Sequence, residues 1–237
     1  MQITRRYKIF KERLSNEGFN YLKVFFRMPG NYIAKFFKRP YFVYKDRTFR
    51  YFYHPHHRTW MTEREIEIPI IVDYIMKSSD SILEIGNVTN HYLNKINEKD
   101  IQFIPIHDVV DKYEKGDGVI NEDVLTYNPS KKYNLIFSIS TMEHVGWDEE
   151  IKDENKIINS INNLKSLLTE NGKIIITVPI NYNAWLDKLI EEGTFGKEMY
   201  FMKRKRFNRW IPCTFQEIKK CGFNEDARGL AILEITK

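Results

Sequence analysis

Acidic and polar side chains recur at the ends of short apolar stretches in the middle of this sequence. They are Glu84, Gly86 and Asn87, then Asp108 and Asp111, then Asp123, and finally Ser140, Glu143 and His144. A carboxylate at such a position can accept hydrogen bonds from the hydroxyl groups of a ribose, and a glycine lets the backbone approach a ligand closely. The two cysteines, Cys213 and Cys221, make no metal-binding pattern. The pattern therefore predicts a nucleotide-like ligand and no metal.

The first of these turns follows residues 82–85, which read as a short buried parallel strand. Gly86 permits a tight turn there, and the apolar positions from His91 onward predict a helix whose N-terminal amides point at the ligand. The complete Gly-x-Gly-x-x-Gly pattern is absent, because Val88 and Asn90 stand where later glycines would be. One glycine alone is equally compatible with a dinucleotide site.

The next three turns each follow a predicted strand. Residues 101–106 predict the second strand, so that Asp108 lies at its carboxyl end and binds a ribose, with Asp111 as a close competitor. Asp123 follows the short third strand, where it could meet the edge of a base. Residues 133–138 predict the fourth strand, which places Ser140, Glu143 and His144 at the same edge of the sheet. Because parallel strands end at a common edge, we expect these side chains to lie close together.

The remaining elements alternate helices with strands. Thr62 and Glu65 resemble a capping box that begins a helix towards Lys77, with Pro69 distorting its first turn. A helix over 153–168, a strand over 173–178, a helix over 214–221 and a last strand over 230–236 follow. Residues 181–209 look irregular, end in the basic run 203–206, and could cover a substrate pocket. This order predicts an α/β fold with a doubly wound, mostly parallel sheet.

Composition divides the chain at about residue 60. Residues 1–60 hold 14 Lys and Arg against 3 Asp and Glu, and 17 of the 34 aromatic residues. Residues 61–237 carry a net charge of −6 and enough apolar residues for one core. No apolar run approaches the ~18 residues of a membrane span, and no signal peptide is recognisable. With only two cysteines, we expect a reduced, cytoplasmic setting.

The basic, aromatic extension of residues 1–60 predicts short amphipathic helices and a hairpin. Its aromatic side chains could pack onto the main domain, lie in a membrane interface, or stack on single-stranded nucleic acid. The sequence does not decide among these three. His54-Pro55-His56-His57 resembles a metal cluster, but without cysteine and with proline it favours a surface turn.

From residue 62 to residue 237 the order of elements resembles the class I S-adenosylmethionine-dependent methyltransferases. The resemblance rests on Leu83-Glu84-Ile85-Gly86, on Asp108 and Asp123, on residues 140–145, and on residues 171–179. It implies a seven-stranded, mostly parallel Rossmann-like sheet with an antiparallel final hairpin, and S-adenosylmethionine as cofactor. It also implies roles for individual residues. Glu84 and Gly86 would surround the methionine part, Asp108 would bind the ribose, and Asp123 would lie beside the adenine amine. Further candidates for cofactor contacts are Asn87, Asp111, Ser140 and Glu143.

Methyl transfer depends on proximity and alignment and requires no nucleophilic side chain. An oxygen acceptor needs a base, and His144 is the candidate; the other interpretation is that the Glu143-His144 pair orders its loop. We expect a small-molecule or glycan acceptor, with peripheral membrane contact through residues 1–60. The alternatives are a nucleic-acid methyltransferase that uses residues 1–60 and 203–206, an inactive adaptor that binds membrane or protein, and a nicotinamide dehydrogenase. The oligomeric state is not predicted.

Overall fold

A computed structural model describes residues 40–78, 81–92, 105–196, 198–224 and 226–237. The helices predicted within residues 1–39 lie outside this part, as does most of the helix expected after His91. The helices are α1 (Arg64–Lys77), α2 (Lys156–Ser166), α3 (Ala184–Glu191) and α4 (Phe215–Ile218), and there are short 3₁₀ helices at His56–Met61, Thr89–His91, Met142–His144 and Arg206–Asn208. The first six strands are β1 (Tyr41–Tyr44), β2 (Arg47–Arg50), β3 (Ile82–Ile85), β4 (Asp108–Val110), β5 (Val119–Ile120) and β6 (Tyr133–Ile139). The others are β7 (Leu168–Pro179), β8 (Met199–Lys205), β9 (Arg209–Cys213), β10 (Phe223–Asn224), β11 (Asp226–Ala227) and β12 (Gly229–Thr236).

Eight of these strands form the central sheet, in the order β5-β4-β3-β6-β7-β12-β8-β9. The strands from β5 to β7 are parallel, whereas β12 is antiparallel to both of its neighbours and β9 is antiparallel to β8. The predicted mostly parallel Rossmann-like sheet is confirmed, including the antiparallel final strands that the methyltransferase resemblance implies. It has eight strands where seven were predicted, because β9 extends the edge beyond β8.

Helices cover both faces of this sheet, so the fold is doubly wound as predicted. On one face Ile136 packs in a hydrophobic cluster with Ile157 of α2. On the other face the alternate residues Leu135 and Phe137 pack with Ile66 of α1. This period of two is that of a strand buried on both sides. Each face therefore has its own apolar core, and polar side chains remain for the strand ends.

The hairpin of β1 and β2 contributes to the second of these cores. Phe42 and Tyr44 are 3% and 4% exposed and pack in the same cluster as the α1 side of the sheet. The alternate residues Tyr41 and Val43 are 55% and 46% exposed. Of the three interpretations of the aromatic extension, packing onto the main domain therefore describes the inward side chains of this hairpin.

Helix α1 begins differently from the sequence prediction. Its N-cap is Glu63, whose side chain makes no capping hydrogen bond, so the capping box of Thr62 and Glu65 was wrong. Glu65 is instead fully buried and accepts a hydrogen bond from Trp210 Nε1 at 2.8 Å. Pro69 lies inside the helix. None of the helices in the described ranges combines the length and apolar composition that crossing a bilayer requires.

The described residues of the segment 181–209 include a helix and a strand, which corrects the prediction of an irregular insertion. It contains α3, capped by Asn183 through hydrogen bonds from two backbone amides, and β8, which pairs with β9 and β12. Lys203 of the basic run pairs with Glu217, and Arg204 donates to the Met61 carbonyl oxygen at 2.5 Å. The charged residues of β8, which lies between β12 and β9, interrupt the apolar alternation that identifies a strand in the sequence.

Candidate functional site

A cavity of about 400 Å³ lies at the carboxyl ends of the parallel strands, which form the carboxyl edge of the sheet. Its walls are the turns that follow β3, β4, β5 and β6, together with His57 and Arg64. The volume falls within the range of about 300–1,000 Å³ that is usual for small-molecule sites. Of the residues that the sequence predicts, five line the cavity: Gly86, Asn87, Asp111, Asp123 and His144.

Glu84 shapes the first turn from behind the cavity wall. Its carboxylate is fully buried and accepts hydrogen bonds from the backbone amides of Val88 (2.9 Å) and Thr89 (2.8 Å). The Thr89 hydroxyl and His107 Nε2 donate to the other oxygen, the latter at 2.9 Å. Both oxygens are therefore occupied within the protein. In this structure Glu84 positions the turn, and any contact with a methionine group would be indirect.

This arrangement explains how the turn forms without its later glycines. Gly86 has φ of 89°, a left-handed conformation that glycine favours, and a Cβ there would lie 2.2 Å from Thr141 Oγ1. Val88 has φ of −100°, which suits any residue. Asn90 donates from its side chain to Asn87 Oδ1 at 2.6 Å. Glycine is thus required only at residue 86, and the turn is held by hydrogen bonds to Glu84.

Asp111 lies just past the carboxyl end of β4 and joins two turns. Its Oδ2 accepts from the backbone amide of Asn87 at 3.1 Å. Its Oδ1 accepts from the amides of Tyr113 (2.8 Å) and Glu114 (2.7 Å). A carboxylate offers about four lone-pair sites, so Asp111 keeps capacity for a ligand hydroxyl group. Asp111 therefore lies at the ribose position that was predicted first for Asp108.

Asp108 lies at the opposite end of its strand, so its predicted place at the ligand edge was wrong. The strand begins at Asp108, and Ile106 of the predicted strand over 101–106 is 93% exposed. Asp108 accepts a hydrogen bond from Tyr133 Oη at 2.7 Å and pairs with Lys131 Nζ at 2.6 Å. Its side chain is committed to the amino-terminal edge of the sheet.

Asp123 lines the cavity beside two lysines. Its Oδ2 pairs with Lys156 Nζ at 2.7 Å and with Lys112 Nζ at 2.9 Å, and its Oδ1 accepts from the Leu125 amide at 3.0 Å. Burial favours a higher pKa for Asp123, but the hydrogen bonds from Lys156, from the Leu125 amide and from Lys112 outweigh it and lower the pKa to about 2. Asp123 is therefore an ionised side chain in the wall of the cavity, and each of its two oxygens has a partner within the protein.

Ser140 and Glu143 lie behind the wall that follows β6. Ser140 Oγ donates to Glu67 Oε1 at 2.6 Å, and Glu67 pairs with Arg64 at 2.7 Å. Glu143 is 2% exposed, and its Oε2 has no hydrogen-bond partner among the described residues. Burial raises the pKa of Glu143 well above its usual range, with Glu67 adding to the effect. The cation beside these two carboxyl groups is Arg64, whose side chain is 14% exposed and lines the cavity.

His144 forms a polar cluster at the cavity wall. Asp148 Oδ2 lies 2.5 Å from His144 Nδ1, and Tyr182 Oη donates to the same oxygen at 2.5 Å. Burial favours a higher pKa for Asp148, but the hydrogen bonds from Tyr182 and His144 lower it. When the imidazole proton lies on Nδ1, facing Asp148, Nε2 is left as an acceptor, 3.8 Å from Glu143 Oε1. The His144 side chain is 47% exposed, so Nε2 can receive a proton from a bound molecule.

Asp148 and Tyr182 were not predicted from the sequence, although signals for both exist. Asp148 is four residues after His144, the spacing at which side chains meet on one turn of chain. Tyr182 follows β7, a parallel strand whose carboxyl end lies at the same edge. Arg64 and His57 are brought to the cavity by the start of α1 and by the 3₁₀ helix before it. No local pattern indicates that placement.

The histidines near residue 55 form a ring cluster beside the cavity. His56 stacks on His91 with ring centroids 4.7 Å apart, and His91 Nε2 pairs with Glu114 at 2.9 Å. His57 and Arg58 have positive φ angles of 52° and 47°. In the described part of the chain, no group of three or more histidine, cysteine or acidic side chains could hold a metal ion.

The cavity is strongly anionic. Its lining contains two cations other than histidine, Arg64 and Lys112. It also contains five carboxylates, those of Asp111, Glu114, Glu122, Asp123 and Glu149. Lys156 lies just behind this lining and pairs with Asp123 and Glu149, which leaves an excess of two negative charges and suits a cationic ligand. S-adenosylmethionine, with its sulfonium and ammonium groups against one carboxylate, has that character and needs the hydroxyl acceptor that Asp111 retains, so the residues present fit this cofactor.

Comparisons with known proteins find similarity at the level of structure. No protein-family model matches the sequence, and no curated protein matches it. The N-methyltransferase NodS from Bradyrhizobium japonicum WM9, solved with S-adenosyl-L-homocysteine, is 12% identical and aligns over 73% of this chain and 87% of its own, with a TM-score of 0.47. An S-adenosylmethionine-dependent methyltransferase from Clostridium acetobutylicum ATCC 824 is 11% identical over 70% and 89% of the two chains, with a TM-score of 0.38.

The sugar N-methyltransferase KedS8 from Streptoalloteichus sp ATCC 53650 is 12% identical over 45% of this chain, with a TM-score of 0.33. The aligned part of this chain spans only 44% of KedS8. At these identities and TM-scores the similarity concerns the fold and does not carry an activity across.

Proposed function

We propose that this chain is an S-adenosylmethionine-dependent methyltransferase that methylates a hydroxyl group of a small molecule or glycan precursor. The observation that carries the proposal is the anionic cavity at the carboxyl edge, with Asp111 in one wall and the His144–Asp148 pair in another. Together these supply a site for a cationic nucleoside and a base beside it.

Each wall of the cavity has a distinct task in this reaction. Asp111 would hold the ribose hydroxyls, and Asp123 would lie beside the adenine. Residue 86 must be a glycine, because a side chain there would collide with Thr141. Its bare backbone lines the cavity and can approach the ligand closely. When bound, S-adenosylmethionine would supply a methyl group on a positively charged sulfonium, and in-line attack by the acceptor oxygen on that methyl group would release S-adenosylhomocysteine. The protein's part is alignment and the exclusion of water.

His144 would take the proton of the acceptor hydroxyl on Nε2. Asp148 acts through His144 by accepting from Nδ1 and stabilising the imidazolium that results. Tyr182 packs edge-on against His144 and Phe223, with centroid distances of 4.9 Å and 5.3 Å. This aromatic surface next to the base supports a ring-shaped acceptor such as a sugar.

The cofactor half of the proposal is tested by isothermal titration of the purified chain with S-adenosylhomocysteine. We expect binding of one molecule per chain, and the absence of binding at millimolar ligand would overturn the proposal. The catalytic half is tested with an assay for S-adenosylhomocysteine release over a panel of sugars and nucleotide sugars. His144→Gln should lower kcat by about 10²-fold or more.

Asp148→Asn separates positioning from catalysis. It should lower kcat less than His144→Gln does and shift the pH profile of kcat, while S-adenosylhomocysteine affinity stays unchanged. Asp153→Asn on the same segment serves as the control, since its described contacts do not include His144. Unchanged kcat in both His144→Gln and Asp148→Asn would exclude His144 as the base.

Membrane contact through residues 1–60 is a separate part of the proposal. It is supported by the net charge of +11 of that segment and by the outward-facing Tyr41 and Val43 of the hairpin. Basic residues near an anionic bilayer contribute about 1 kcal/mol each. Flotation with phosphatidylserine vesicles should recover the full chain at low salt, and recovery independent of phosphatidylserine would contradict this contact.

The basic run 203–206 does not favour nucleic acid, since Lys203 and Arg204 are engaged within the protein.

A further inference from the structure

A second cavity, of about 510 Å³, lies at the other end of the molecule. Its walls are the β1–β2 hairpin, the last turns of α1, the beginnings of β6 and the middle of β7, and the end of β12. Leu135 and Asn134 belong to the amino end of β6, whereas the candidate active site follows the carboxyl end of that strand. The two cavities therefore lie at opposite ends of the parallel strands. The ends that carry the second cavity form the amino edge of the sheet.

Four cations and two carboxylates line this second cavity. Glu234 is 8% exposed and is shared by Lys45 and by Lys173, whose Nζ lies 2.8 Å from Glu234 Oε1. Burial favours a higher pKa for Glu234, but the hydrogen bonds from Lys173 and Lys45 lower it to about 2. Burial alone would lower the pKa of Lys45, yet its hydrogen bonds to Glu234 and Tyr74 raise it. Glu234 and Lys45 are therefore both charged at neutral pH.

The second pair of cations repeats this pattern nearer the solvent. Arg47 and Lys77 share Asp73, with the Lys77 Nζ at 2.8 Å from Asp73 Oδ2. Their side chains are 49% and 58% exposed, so both can turn towards a ligand. Because each carboxylate is shared by two cations, the cavity has two positive charges in excess, the opposite sign to the candidate active site.

Aromatic side chains complete the wall. Tyr44, Phe49 and Tyr74 line the cavity, and the Tyr44 and Tyr74 hydroxyls are 3.1 Å apart. Aromatic walls with a few fixed polar groups are typical of sites for ring-bearing small molecules. Arg47 offers the planar fork that binds phosphate oxygens in pairs, and the lysines add point charges.

We propose that this cavity binds a small organic phosphate, such as a nucleotide or a phosphorylated sugar, with its phosphate between the two cation pairs and its ring against the aromatic wall. The proposal stands independently of the methyltransferase proposal, because it concerns the opposite edge of the sheet.

The test is isothermal titration of the full chain with uridine diphosphate and with inorganic pyrophosphate at low salt. We expect a dissociation constant below about 1 mM for uridine diphosphate. Binding should weaken as salt rises, because the cations are partly exposed. Pyrophosphate should bind at least threefold more weakly, since it lacks a ring. No binding of either probe would overturn the proposal, and equal affinities would overturn the role of the aromatic wall.

A double variant assigns the site. Arg47→Gln with Lys77→Gln removes both excess charges from exposed positions and should weaken uridine diphosphate binding at least tenfold. The matched control is Lys165→Gln with Lys188→Gln, which removes the same charge from α2 and α3 and should keep the wild-type affinity. Equal affinities in the two double variants would overturn the assignment. Saturating S-adenosylhomocysteine should leave the titration unchanged, whereas competition would show that the probe binds at the carboxyl edge and would also overturn it.

Discussion

The two edges of the central sheet use acidic side chains in different ways. At the carboxyl edge, Glu84 and Asp111 accept hydrogen bonds from five backbone amides of the turns that follow β3 and β4. At the amino edge, Asp108 and Glu234 pair with lysine side chains and with tyrosine hydroxyls. The same type of residue therefore shapes loops at one edge and pairs with cations at the other.

This difference determines the charge of the two cavities. An amide satisfies the hydrogen-bonding capacity of a carboxylate without cancelling its charge, whereas a lysine cancels it. The carboxyl edge consequently remains anionic. In the cavity at the amino edge two acids face four cations, and this cavity becomes cationic. Asp123 and Glu149, which pair with Lys112 and Lys156, are exceptions at the carboxyl edge.

The largest effect that we expect from this comparison is on stability. Glu84→Ala leaves two buried amides and the His107 side chain without their acceptor, and breaking such a buried network costs about 3–5 kcal/mol. Asp108→Ala removes a partly exposed pair and one hydrogen bond, which costs about 1 kcal/mol. Urea denaturation of both variants measures these losses. Equal losses would show that the two edges do not differ in this way.

The next effect concerns ligand binding, which rests on the proposed function. Asp111→Ala removes the candidate ribose acceptor and the support of three amides, and hydrogen bonds to a charged group contribute about 1.5–3 kcal/mol. We expect S-adenosylhomocysteine to bind about 10- to 100-fold more weakly, as measured by isothermal titration. Asp108→Ala should bind it as the wild type does. A larger loss in Asp108→Ala than in Asp111→Ala would restore Asp108 as the ribose residue.

The sequence is informative about strands and their order but less so about where each strand ends. Apolar runs identified β3, β6, β7 and β12, because strands buried on both faces leave a clear signal. Strand β4 is short and ends at Val110, four residues beyond the predicted end at residue 106, so that Asp111 lies at the cavity in place of Asp108, three residues earlier. Three residues of strand are about 10 Å, enough to move Asp108 to the opposite edge and bring Asp111 to the cavity.

The site was predictable to the extent that it depends on strand order. Gly86, Asp111, Asp123 and His144 all follow parallel strands, and the structure brings them together. The role of Glu84 was not predictable, because a carboxylate that replaces glycines in shaping a turn leaves no sequence pattern. Arg64 likewise reaches the cavity from the start of α1 and not from the end of a strand, so strand order does not predict its place.

A smaller effect tests how closely the carboxyl edge is packed. Gly86→Ala and Gly118→Ala both place a side chain at positive φ, which costs about 1–2 kcal/mol for an L-residue. At residue 118 a Cβ meets nothing within 4 Å, whereas at residue 86 it overlaps Thr141. We expect Gly86→Ala to lose about 1–2 kcal/mol more in urea denaturation. Thr141→Ala in the same chain should restore part of that difference, and no difference between the two glycine variants would contradict the packing.

The smallest effect that we expect is a pH dependence at the carboxyl edge, where His107 is the cation that faces Glu84. Burial alone would lower the pKa of His107, but its hydrogen bond to Glu84 raises the pKa above 6.5. Its Nδ1 also faces an acceptor, the Pro105 carbonyl oxygen at 3.0 Å, so both ring nitrogens donate and the imidazolium is favoured. Because the folded-state pKa is raised, the stability from this pair is complete below about pH 6.5 and is lost as pH rises through the folded-state pKa.

Urea denaturation from about pH 6 to about pH 9 should therefore show a decline in the wild type that His107→Asn removes. His56→Asn, in the exposed histidine cluster, is the matched control and should keep the wild-type slope. Glu84→Ala should also remove the slope, because the raised pKa of His107 depends on that carboxylate. If the slope persists in both His107→Asn and Glu84→Ala, the titrating group lies elsewhere, and Glu84 acts at this edge through its amide hydrogen bonds alone.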